Sequence, residues 1–157
     1  MHVGLISDTH GYLDPRAVEL LRGVELILHA GDVGSLKVVE ELARLAPVRA
    51  VRGNVDEGGE AGVLPLVEEF TLENLSVHLV HQLDPRNLPA VDIVVFGHSH
   101  RALVQERDGR LLLNPGAAGR RGFHSTFTVG LLDIIQGRPE ARIVEFGSRA
   151  GDRVGVS

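Results

Sequence analysis

The stretch His2-Val3-Gly4-Leu5-Ile6-Ser7-Asp8-Thr9-His10 decides how the chain reads. A short apolar run stops abruptly at a polar loop, the pattern of a strand buried on both faces of a parallel sheet. Beyond it, Asp14 offers an N-cap with Pro15 at the first helical position, and Ala17, Val18, Leu20 and Leu21 supply an apolar helical face. Val24 to Leu28 repeats the buried run and ends at Ala30-Gly31-Asp32. Ser35 caps a second helix reaching to about Leu45, and Pro47 to Val51 is a third strand ending at Gly53-Asn54. The first third is therefore expected to be β–α–β–α–β, with a polar cluster after each strand.

The acid- and glycine-rich stretch Asp56 to Gly62 reads as a surface loop. Strands are expected over Val67 to Leu72 and Leu75 to Val80, the second ending at His81. Asp84 to Ala90 reads as a turn or one short helix, and Val91 to Phe96 as a buried strand running into Gly97-His98-Ser99-His100. Ala102 to Glu106 and Arg110 to Leu113 flank Asp108-Gly109, a hairpin signal. After Asn114-Pro115-Gly116 the chain closes with strands near Thr126 to Ile135 and Ala141 to Phe146. Residues 1–157 are expected to form a single domain, with 148–157 a frayed tail.

Composition narrows the chemistry. The 157 residues are 43% hydrophobic, include no cysteine and eight histidines, and sum to a formal charge of −5. A chain of this size buries enough surface for a core without staples. Disulfides, thiolate metal sites and cysteine nucleophiles are excluded. The acidic balance and 4% aromatic content argue against an extended nucleic-acid groove. No apolar run approaches the roughly 18–20 residues of a membrane span, and Met1-His2-Val3 does not begin a signal peptide, so a cytoplasmic domain is expected. Metal or acid–base chemistry here must use His, Asp, Glu and Asn.

Five polar clusters follow expected strands: Asp8/His10, Asp32, Asn54, His81 and His98/His100. In open α/β sheets the carboxyl ends of strands are where ligands bind, because loops from neighbouring parallel strands converge there. Each pair alone is an ordinary polar turn; five at successive strand ends point to one shared site.

In that order, Asp8-Thr9-His10, Gly31-Asp32, Gly53-Asn54, His81 and Gly97-His98-Ser99-His100 resemble the calcineurin-like metallophosphoesterases. The short chain, Asn54-x-Asp56 and Leu113-Asn114-Pro115-Gly116 resemble their small bacterial and archaeal phosphodiesterase branch. The resemblance implies a four-layer αββα sandwich, two mixed β-sheets flanked by helices, with two divalent metal ions on their shared edge. It implies Asp8, His10 and His100 on one ion, Asn54, His81 and His98 on the other, and Asp32 bridging. Asp32, Asn54 and His98 would be catalytic, and a hydroxide between the ions would attack a phosphodiester in line. The oxygen and imidazole donors suit Mn2+, the ion expected, and also Ni2+, Fe2+ or Zn2+. A small phosphodiester or other phosphate ester would be the substrate, contacted by Asn54 and, as further candidates, Arg120 and Arg121. Homo-oligomerisation stays open. So do two alternatives: a phosphomonoesterase, and a protein-binding scaffold like the retromer subunit of the same fold.

The chain departs from the family pattern twice. Val55 stands where many members of the superfamily have a histidine placed to assist the leaving group, and Gln82 stands where a glycine often follows the strand-end histidine. Among the other histidines, His78 and His2 read as strand residues. His29 is either a partner that orients the Asp32 loop or a satisfied buried imidazole. His124 is either near substrate, where it could supply the missing acid, or a solvent-facing loop residue. Asp56 holds a loop or a ligand histidine, or is a plain turn carboxylate. Gly116 is expected to take a positive φ close to the site.

Overall fold

In the computed structural model, which describes residues 1–154, the first strand runs His2–Ile6 (β1) and is buried at every position after His2. Its parallel neighbour, Leu26–His29 (β2), is buried throughout, and Val48–Ala50 (β3) pairs parallel to β2. Between them Pro15–Leu20 (α1) starts at an Asp14 cap, and Leu36–Ala43 (α2) at a Ser35 cap. The expected β–α–β–α–β unit is present. On its far side β1 pairs antiparallel with Thr126–Ile135 (β9), which pairs antiparallel with Arg138–Ser148 (β10). The sheet order is β10-β9-β1-β2-β3.

A second mixed sheet has Val67–Leu72 (β4), Leu75–Val80 (β5), Ile93–Val95 (β6), Leu103–Arg107 (β7) and Arg110–Asn114 (β8) in the order β4-β5-β6-β8-β7. Here β5, β6 and β8 run parallel and the outer pairs antiparallel. The two sheets face each other across a core that includes Val3, Leu5, Leu28, Leu79, Ile93, Val95, Leu113 and Leu132. A second cluster packs α1 and α2 on the outer face of the first sheet through Ala17, Leu21, Val38 and Leu42 against Ile6, Ile27 and Val129. The sandwich thus consists of two mixed sheets with few helices, and α1 and α2 both lie on the first sheet. The link between β5 and β6 forms turns, because Pro85 and Pro89 interrupt a stretch too short for a helix. No helix among the described residues is long and apolar enough to cross a membrane.

Three segments differ from expectation. The expected surface loop over 56–62 is flanked and partly formed by two 3-10 turns, Asn54–Asp56 and Glu60–Val63, that bury Asp56 and Ala61. β10 begins earlier than the apolar pattern suggests, because Gln136 and Gly137 take φ of 52° and 76° and close a tight hairpin; Pro139 is tolerated because β10 is an edge strand. The expected loose tail carries a short helix, Arg149–Val154 (α3), and residues 155–157 lie outside the described residues.

Candidate metal centre

Within each sheet three parallel strands end at the same edge, β1, β2 and β3 in one and β5, β6 and β8 in the other. The loops that follow are tied together by backbone bonds. The Asp8 N–H donates to Gly31 O and the His10 N–H to Asp32 O, both at 3.0 Å. The Gly97 N–H donates to His81 O at 3.0 Å. Two bonds cross between the sheets: His81 Nδ1–H donates to Ala30 O at 2.7 Å, and the His98 N–H to Asp8 Oδ2 at 3.3 Å.

These loops bring five of the seven candidate ligands into contact. Asp8, His10 and His100 form one group, and Asp8, Asp32 and His81 another, with ligand atoms in each within 4.8 Å of one another. Each carboxylate spends one oxygen on the protein and aims the other at the centre. Asp8 Oδ2 accepts from Ser7 Oγ at 2.7 Å, while Oδ1 lies 3.3 Å from His100 Nε2 and 3.9 Å from His81 Nε2. Asp32 Oδ1 accepts the Val55 N–H at 3.0 Å, while Oδ2 lies 3.3 Å from His81 Nε2 and 3.8 Å from His10 Nε2. Because His81 donates from Nδ1 to a carbonyl, its Nε2 is the atom that faces both carboxylates. Buried Asp8 Oδ1, His10 Nε2 and His81 Nε2 all lack a hydrogen-bond partner.

Buried acceptor atoms that face one another are unfavourable unless a proton or a cation sits among them. Burial holds His10 below the ordinary imidazole range, against the pull of Asp32 and Asp8, so the ring is neutral and fit to ligate. Burial acts to raise Asp32, but His81, the Val55 N–H and His10 outweigh it and hold the carboxyl below its usual range. Burial likewise acts to lower His81, but Asp32 and Asp8 carry it above the ordinary value. That centre favours positive charge, and the oxygen and imidazole donors fit a borderline or hard divalent ion.

Supporting residues hold the loops. His29 accepts the Gly31 N–H at Nδ1, and its Nε2–H donates to Thr9 Oγ1, which donates to Val33 O. Burial pushes His29 down to about 4, so it stays neutral and ties the Asp8 and Asp32 loops together. Buried Asp56 accepts the N–H groups of Val33, Gly34 and Gly53 and touches no ligand histidine. Asn114 donates to Gly97 O and Ser99 Oγ, bracing the His98–His100 loop, and Gly116 has φ 77°. At Gly97 a Cβ would collide with Ser7 Oγ and crowd Asp8 Oδ2.

Other candidates sit apart. His98 is exposed and outside both groups; its ring meets His81 edge-on with centroids 5.2 Å apart, and its Nε2 accepts from the Gln82 amide at 3.2 Å. Asn54 is exposed at the start of the turn whose Val55 N–H binds Asp32. Arg120 is bound to Asp152 at 2.7 Å and lies near the rings of Tyr12 and Phe127. Arg121 is exposed, and its charge reaches His10. His2 pairs with Asp133 and His78 with Glu69, away from the centre. A cleft of about 920 Å³ is lined by residues such as Tyr12, Arg16, Arg120 and Asp152, and none of the seven candidates lines it. Ser7 and the His100–His124 contact carry no sequence signal of their own.

Known proteins share this arrangement of sheets. The model of the calcineurin-like phosphoesterase superfamily domain matches residues 1–137. A probable metallophosphoesterase of Methanothermobacter thermautotrophicus is 37% identical over 136 residues, covering 74% of this chain and 77% of that one. A phosphodiesterase of Methanocaldococcus jannaschii is 30% identical over 158 residues, covering 85% and 93%. The crystal structure of Vps29 from Chaetomium thermophilum superposes with a TM-score of 0.75 at 22% identity, covering 94% of this chain and 97% of that one, a likeness of fold. With its two mixed sheets and the match over most of its length, the chain belongs to the calcineurin-like phosphoesterase superfamily.

Proposed function

We propose that this protein is a metal-dependent phosphodiesterase acting on small phosphodiesters through a two-metal centre. One observation carries the reading: ligand atoms of Asp8, Asp32, His10, His81 and His100 converge, and Asp8 Oδ1, His10 Nε2 and His81 Nε2 are buried without a hydrogen-bond partner. Asp8, His10 and His100 would hold one divalent ion, His81 with Asn54 and His98 a second, and Asp32 both. Two such ions, when bound, lower the pKa of water toward neutrality and neutralise charge developing on phosphate oxygens, and Mn2+ is our first choice. The chain's own part is to hold that set rigid. Asn54 and Arg121 are exposed, and their amide and guanidinium would orient a phosphate.

Val55 is half exposed beside Asp32 and offers no proton to a leaving group. General acid assistance is worth about 10²- to 10⁴-fold, so aryl diesters, with stable leaving groups, are expected to be cleaved far faster than alkyl ones. The test strips metal, adds back Mn2+ and follows bis-aryl and mono-aryl phosphates in parallel. Diester hydrolysis should return with metal, and Asp32→Ala should lose more than the about 10–100-fold typical of outer partners. Full metal-dependent activity in Asp32→Ala would overturn the reading. A scaffold role is the second reading, favoured by the likeness to Vps29 and by His98 being turned to Gln82. A folded protein inactive with every divalent metal would support it.

A further inference from the structure

The loop after β8 holds a chain of contacts ending at the candidate centre. His124 Nε2 lies 2.7 Å from Gly119 O, and a carbonyl only accepts, so His124 carries its proton on Nε2. A neutral imidazole protonated at Nε2 presents a lone pair at Nδ1. His100 Nδ1 lies 3.1 Å from that lone pair and must therefore be the donor. This leaves His100 with a lone pair on Nε2, the atom 3.3 Å from Asp8 Oδ1.

The surroundings enforce the pair. The two rings meet edge to face at 89° with centroids 4.9 Å apart, and His124 is backed edge-on by buried Phe127. Arg149, at the start of α3, donates to the carbonyls of His124, Arg120 and Gly122, clamping the loop. Gly122 has φ 122°, and a Cβ there would lie 2.5 Å from His100 Nδ1 and 3.1 Å from His124 Nδ1. Only glycine leaves space for the contact.

We infer that His124 is a positioning residue that selects the Nδ1–H tautomer of His100 and so aims its Nε2 lone pair at the cation site beside Asp8, an inference that rests on the metal-centre reading. Free imidazole has no such bias toward Nδ1–H, so the assignment is distinctive. Outer partners of ligating histidines fix tautomer and ring orientation, and losing one costs about 10–100-fold in metal affinity.

The test has two readouts besides turnover. Long-range ¹H–¹⁵N spectra of the metal-free wild type should show His100 protonated at Nδ1. Titration with Mn2+ alone, by calorimetry, should show His124→Phe weakened by about 10–100-fold, with the His100 tautomer lost. His124→Asn, whose side-chain oxygen takes the place of Nδ1, should restore most of the affinity. Wild-type His100 protonated at Nε2 would overturn the inference, and so would His124→Phe with unchanged tautomer and affinity. If His124→Phe does not fold, the wild-type tautomer and His124→Asn decide. A wild type that binds no Mn2+ would instead overturn the metal-centre reading, with the tautomer still judging His124.

Discussion

Five of the seven candidate ligands, Asp8, His10, Asp32, His98 and His100, hold φ between 49° and 71°. Such a conformation costs an ordinary L-residue about 1–2 kcal/mol. The other non-glycine residues with positive φ, Glu73, Asn74, Asp108 and Gln136, sit in hairpin turns, where the turn geometry demands it. Around the centre the positive φ falls instead on loops that follow strand ends, where such strain marks a functional site. Gln82 works the other way, since its amide occupies His98 Nε2. An exposed hydrogen bond contributes about 1 kcal/mol at most, so Gln82→Ala should tighten binding of the second Mn2+ by up to about fivefold. Calorimetric titration with unchanged second-site affinity would show that His98 does not ligate there through Nε2.

At the scale of elements, the site is a set of strand-end loops cross-tied by buried polar groups. His29, at the end of β2, is the tie between the Asp8 and Asp32 loops. Its ordinary value is 6.5, and burial in the fold lowers it to about 4. Between those values the unfolded chain holds a proton that the folded chain refuses, so this contribution to stability is complete above about pH 6.5 and is lost as acid is added. The slope amounts to at most about 1.4 kcal/mol per pH unit. Urea denaturation of the metal-free protein should show His29→Gln less acid-sensitive than wild type across this window. Parallel pH profiles would refute the assignment.

At the scale of the whole molecule, two mixed sheets align their parallel strand ends at one edge, and ligands from both sheets meet only when the sandwich closes. Asp8 and Asp32 follow strands of the first sheet, His81 and His100 strands of the second. A cation held by both sheets therefore binds the folded state alone. At about 100 times its Kd such a ligand adds about 2.7 kcal/mol. For a chain of this size that is about 5–10 °C in Tm. Calorimetry with Mn2+ and with chelator should differ by that amount in wild type and by much less in Asp32→Ala. Equal melting temperatures with and without metal would argue against a shared site.

Hydrophobic runs ending in Asp8, Asp32, Asn54, His81 and His98 made the strands and the clusters that follow them legible from the chain, while the two-sheet sandwich was implied by the family resemblance. Periodicity and turn chemistry are local, so β4, β5 and β9 could be delimited residue by residue, whereas β10 could not, its start depending on the Gln136-Gly137 turn. Contacts between distant loops have no such local code. His100 meets His124 across 24 residues, Gln82 meets His98 across 16, and Asp152 takes Arg120 across 32. Side-chain identity told which atoms could ligate; only the packing of two sheets decided which lone pairs face one another, because burial and tautomer depend on neighbours that the fold, not the sequence order, brings together.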